Sequence, residues 1–150
     1  MTKLKLARHA ALLAFAIGSF AQSAAAADRR PLVDWAGDWR AGGDLNIVIF
    51  LEDGEELVID GFATYGAQDP DRVTQGSVQV GRFFARVTRD RVEEGDRIRF
   101  AVEDDEVLPF DTAISGMCKI ELQLVWPTLK ARDNGRCGGA NVSFTAEYSR

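Results

Sequence analysis

The chain has 150 residues, 18 Lys and Arg against 23 Asp and Glu, one histidine and two cysteines. Its only histidine, His9, lies in a stretch that reads as a removable leader, so the remainder has no imidazole for acid/base work, Ser-His or Cys-His pairs, or most zinc sites. The acidic balance argues against nucleic acid and anionic membranes as partners.

Residues 1–27 have the three parts of a secretory signal peptide. Lys3, Lys5 and Arg8 form the positive region, Ala10 to Phe20 the apolar one, and Ala25-Ala26-Ala27 the small residues before a cut at Asp28. Removing 27 of 150 residues leaves 123, enough for one domain, 28–150. Three of the 18 basic residues leave with the leader, so 15 against 23 gives a net charge of −8. No later apolar run is long enough to span a bilayer, and no cysteine follows the cut to carry lipid. The expectation is a periplasmic or secreted bacterial protein, in a compartment where two cysteines pair.

After a lead-in over 28–34, short strands alternate with turn residues. Leu45, Ile47, Ile49 and Leu51 alternate, and Asp53-Gly54 suits a tight hairpin. Leu57 to Tyr65 returns, with Gly61 as a bulge candidate. Ala67 to Gln75, with Pro70, reads as a loop. Ser77 to Thr88 is the next strand, and Val92 opens a short one. Gly95-Asp96 marks a turn before Arg97 to Glu103, where Ile98, Phe100 and Val102 share a face. The run Glu103-Asp104-Asp105-Glu106 must be exposed. Leu108 to Gly116 is irregular, with room for one helical turn.

Cys118, Ile120, Leu122, Leu124 and Trp126 then point one way, and Lys119, Glu121 and Gln123 the other. In the last strand Val142, Phe144, Ala146 and Tyr148 face in. Seven or eight such strands with hairpin-sized links predict an all-β antiparallel fold, an up-and-down barrel with a β-sandwich as the alternative. At this strand number the interior holds side chains or one small ligand. The large inward residues, Ile120, Leu122, Leu124, Trp126, Phe144 and Tyr148, are expected to fill it.

Cys118 and Cys137 are symmetric about the Pro127–Thr128 bond. A turn there sets Cys118 opposite Cys137, Trp126 opposite Leu129 and Leu124 opposite Ala131, and predicts a structural disulfide. Asp133-Asn134-Gly135-Arg136-Cys137-Gly138-Gly139 follows, with three glycines in seven residues. It reads as a pinned loop with Arg136 at its tip. The candidate partner-binding residues are Asp133, Asn134 and Arg136 in this loop, and Glu103, Asp104, Asp105 and Glu106 in the acidic turn.

Carboxylates elsewhere cluster in turns such as Asp53–Glu56, where they are solvated. There is no nucleophile motif, phosphate loop, EF-hand or metal-ligand spacing. No catalytic residue, metal or cofactor is assigned, and the expected function is non-catalytic.

Gly37-x-Trp39 resembles the start of lipocalin-like and avidin-like barrels. That resemblance implies that Trp39 plugs one barrel end beneath an arginine near the chain's end, here Arg150. A second resemblance, over about the last thirty residues, is to small bacterial envelope proteins grouped with lysozyme inhibitors. It rests on Cys118-x-Ile120-x-Leu122, on Asp133-Asn134-Gly135-x-Cys137-Gly138-Gly139-x-Asn141-Val142-x-Phe144, and on Tyr148-x-Arg150. It implies a periplasmic β-barrel that plugs the cleft of a basic protein, lysozyme. The chain lacks the lipid-anchored cysteine and the Ser- and Lys-bearing loop of the membrane-bound group, so no inhibitory residue carries over. The alternatives are a lipocalin-like carrier of a small hydrophobic ligand and an envelope protein with no dedicated ligand.

Overall fold

The computed structural model describes residues 29–104 and 106–150. The leader 1–27 with His9, and Asp105 of the acidic turn, lie outside the described residues. A 3-10 turn at Leu32–Asp34 leads into nine strands: β1 Gly37–Ala41, β2 Leu45–Glu52, β3 Glu56–Tyr65, β4 Gln79–Thr88, β5 Arg97–Glu103, β6 Glu106–Pro109, β7 Cys118–Val125, β8 Thr128–Asp133 and β9 Ala146–Tyr148. They form two antiparallel sheets, ordered β1-β2-β3-β4 and β6-β5-β7-β8-β9.

The alternation fixes the faces. Ile47, Ile49, Leu57, Ile59, Phe83, Ala85 and Val87 of the first sheet are buried against Ile98, Phe100, Ile120, Leu122, Leu124, Leu129 and Tyr148 of the second. Phe83 sits at the centre, edge-on to Phe144 at 4.8 Å and tilted against Phe100 at 5.8 Å. At one seam the sheets join through reciprocal Arg40–Ser149 backbone bonds of 2.8 and 2.9 Å. At the other, β4 and β6 are both edge strands. There the β4 backbone is bonded to a loop, through a Gly81–Gly138 bridge and a 3.0 Å bond from Gly139 N–H to the Val80 carbonyl. No closed barrel forms among the described residues, and the arrangement is that of the sandwich.

Gly61 forms no bulge. It stays in register between Ile47 and Phe83, and the Phe83 ring occupies the space of its missing side chain, 2.1 Å from an ideal Cβ. The loop over 67–75 contains a short helix, α1, Pro70–Thr74. Asp69 caps it by accepting from Asp71 N–H at 3.0 Å and Arg72 N–H at 3.3 Å, and Pro70 occupies the first helical position, where no N–H is needed. Val92 is buried beyond a 3-10 turn at Arg89–Arg91 and precedes β5 without joining a strand of its own. Strand β6 starts at Glu106 of the acidic run, takes in Leu108 and Pro109 of the region expected to be irregular, and pairs with β5 from Glu103↔Glu106 to Phe100↔Pro109.

The β7–β8 hairpin keeps a two-residue turn but centres it one residue earlier than the symmetric reading, a register shift of two. Val125 pairs with Thr128, Leu124 with Leu129 and Leu122 with Ala131, so Trp126-Pro127 forms the turn. An even slip keeps every side chain on its expected face. It does carry Trp126 out of the core, where it is 49% exposed. The last predicted strand keeps its inward set of Val142, Phe144 and Tyr148, yet only Ala146–Tyr148 pairs with β8. Gly138 and Gly139 instead reach the β4 edge, at Gly81 and Val80.

Candidate functional site

The segment after β8 is shaped by its own side chains. The Asp133 carboxylate accepts from the hydroxyls of Ser143 and Thr145, both at 2.7 Å, and from Gly135 N–H at 3.2 Å. Asn134 Oδ1 accepts from the N–H groups of Lys119 at 3.1 Å and Arg136 at 3.3 Å, and its Nδ2 donates to the Met117 carbonyl at 2.8 Å. Gly135 takes a left-handed conformation (φ 69°) open to glycine at little cost.

Cys137 then bridges back to Cys118, their Cα atoms 4.5 Å apart. Although the register sets Cys118 beyond the end of β8, the bend at Gly135 brings Cys137 within reach. Gly138 next presses on β4: a Cβ on it would meet Gly81 Cα at 2.4 Å, so a glycine on each side permits the contact. Staple, turn and crossing together fix the backbone on both sides of Arg136, whose side chain is exposed.

These elements enclose an open groove of about 530 Å³. Arg82, Phe83 and Phe84 of β4 form one wall, Val102 and Asp104 of the β5–β6 hairpin the other, and Cys118, Cys137, Arg136 and Gly138 the floor and end. Arg82 is held on the rim by a bidentate pair with Asp60, at 2.7 and 3.1 Å. Asp104 stands at the hairpin tip with φ 47°. Glu103 and Glu106 flank it as an exposed cross-strand pair. A smaller cavity of about 230 Å³ lies along the same β4–β6 opening, among Arg86, Val87, Thr88, Arg91, Arg99, Phe100 and Val107. Hydrogen bonds donated by Arg99 to the Glu93 carboxylate, and by Arg86 to the Glu56 carboxylate, raise both guanidinium pKa values and fix the side chains.

Of the residues singled out by sequence, Arg136 and Asp104 thus share one groove. Asp133 and Asn134 are engaged in building the loop, and Asp105 is outside the described residues. Sequence reasoning missed the β4 wall. Its signal was the period-2 pattern of Arg82, Phe84 and Arg86, which marks an outward face.

Trp39 and Arg150 meet at another end of the molecule. The Arg150 guanidinium lies 4.3 Å from the Trp39 ring centroid and 4.9 Å from that of Trp126, and donates to the Asp34 carbonyl. Trp39 Nε1 donates to the Trp35 carbonyl at 2.8 Å. Gly37 leaves room for Arg150, whose Nε would lie 2.8 Å from a Cβ there.

Comparison with known proteins found no matching protein family, no matching curated protein and no matching solved structure. Fold and site define a two-sheet antiparallel β protein with a disulfide-pinned loop beside an open sheet edge.

Proposed function

We propose that this is an exported, non-catalytic binding module that engages a protein partner at the β4–β6 groove, as a lysozyme-inhibitor-like protein of the bacterial periplasm. One observation carries the reading: Asp104 of the acidic turn and Arg136 of the pinned loop, 32 residues apart in sequence, line the same groove. A loop fixed by a disulfide and by Asp133 and Asn134 loses little conformational entropy on binding. The net charge of −5, or −8 without the leader, would steer a basic partner such as lysozyme toward the molecule. Trp35, Trp39, Phe83, Phe100, Phe144 and Tyr148 pack the space between the sheets, which favours the surface groove over an interior ligand cavity.

The test is a lysis assay with c-, g- and i-type lysozymes, using wild type, Arg136→Glu and Asp104→Lys. The expected result is protection against at least one lysozyme, weakened tenfold or more by either substitution. No protection against any of the three would refute the inhibitor reading, and protection untouched by both substitutions would refute the groove.

A further inference from the structure

The outer faces of the two sheets differ in kind. That of β5–β9 carries Arg97, Arg99, Lys119, Glu121, Lys130 and Glu147, spread as a solvated surface normally is. That of β1–β4 carries Val48, Phe50, Val58, Phe62, Val80 and Phe84. Phe50 is 61% exposed, Val80 52% and Phe62 44%. Charged groups on this face pair with one another: Asp60 with Arg82, Asp38 with Arg40, and Glu52 and Glu56 with Arg86. Four carboxylates and three guanidiniums leave it almost neutral on a chain of net charge −5.

We infer that this face is an interface between two copies of the chain, packed sheet against sheet. Charge selects the occupant. A strongly basic or acidic partner gains little from groups already paired among themselves, whereas a second copy brings the same alternating pattern. Covering the face costs little beyond desolvating ion pairs that stay formed. Four strands about 4.8 Å apart, each about eight residues long at 3.3 Å per residue, give a footprint of about 500 Å² per copy. The total of about 1,000 Å² is at the lower limit for a specific interface, so association is concentration-dependent. Two such faces would stack about 10 Å apart with their strands within about 30° of alignment.

The experiment is sedimentation equilibrium of the purified product of the full-length chain, from roughly 10 µM to 1 mM. The expected mass rises toward twice the monomer. Phe50→Glu combined with Phe62→Glu should hold it at the monomer throughout, and the milder Phe50→Ser should weaken association severalfold. Phe50→Leu with Phe62→Leu should retain it. Circular dichroism checks that each variant is folded. Phe62 pairs across β3–β4 with Arg82 of the groove wall, whereas Phe50 pairs with Val58 away from it, so the lysozyme comparison uses Phe50→Ser, whose protection should be unchanged, and the two proposals fail separately. A wild type that stays monomeric at the highest concentration, or a Glu variant that associates like wild type, would overturn the inference.

Discussion

Replacing both cysteines with alanine tests how far the 118–137 bridge confines the unfolded chain. The bridge closes a segment with a sequence separation of 19. For a loop of that size the chain-entropy model gives a stabilisation of about 3 kcal/mol at 25 °C. Cys137 is also buried, so removing its sulfur leaves a small void that adds to the loss. Unfolding entropy near 2.1 cal/mol/K per residue gives about 0.25 kcal/mol/K for a domain of about 120 residues, and the melting temperature should fall by about 12 °C. Differential scanning calorimetry of wild type and Cys118→Ala/Cys137→Ala, both without reductant, reads it directly. The bonds of Asn134 and Asp133 persist in the variant, so the folded state should keep its far-ultraviolet circular dichroism. A drop of less than about 4 °C would refute the reasoning. It would mean that the β7–β8 hairpin already confines the denatured chain and leaves the bridge little entropy to remove.

Gly61→Ala should destabilise by about 1–3 kcal/mol in chemical denaturation, because its methyl group would collide with the Phe83 ring. Arg150→Ala removes a cation held between Trp39 and Trp126; it should cost about 1–2 kcal/mol and shift the tryptophan emission. Burial, with a smaller contribution from the Asp133 charge, pushes the Tyr148 phenol above its ordinary value of about 10, and its hydroxyl donates to the Phe144 carbonyl at 2.8 Å. Above that pH the unfolded phenol loses its proton while the native one keeps it, so native stability falls as pH rises. Tyr148→Phe should be about 1 kcal/mol less stable at pH 8 and lose less stability than wild type between pH 8 and pH 11, read by urea unfolding.

Period-2 alternation made the sheet faces legible from sequence. It identified Ile47, Ile49, Ile98, Phe100, Ile120, Leu122, Phe144 and Tyr148 as inward residues, and all are buried. The same signal is blind to a shift of two residues. The hairpin centre was therefore read at Pro127–Thr128 when the turn is Trp126-Pro127, and Trp126 went from core to surface. Alternation also cannot tell a paired strand from an extended crossing. Residues 141–145 point Val142 and Phe144 inward, but the segment joins no ladder: Ser143 and Thr145 bond to Asp133, and Phe144 packs on Phe83 of β4.

The helix at Pro70–Thr74 was missed although both its signals, an Asp cap and proline at the first position, are in the sequence. Five residues carry no helical period to weigh against a loop. The groove was half legible. Turn chemistry marked Asp104 and Arg136 one by one. Their meeting depends on two sheets facing each other and on Gly81 letting the loop approach, and neither follows from local pattern.

The most direct test of the groove as the binding element is amide chemical-shift mapping. Isotope-labelled protein is titrated with whichever lysozyme it protects against, or with each of the three if it protects against none. The account predicts shifts concentrated at 82–84, 102–106 and 134–138. A partner that leaves these segments unchanged while perturbing β2 around Val48 and Phe50, or no shift with any lysozyme, would contradict it.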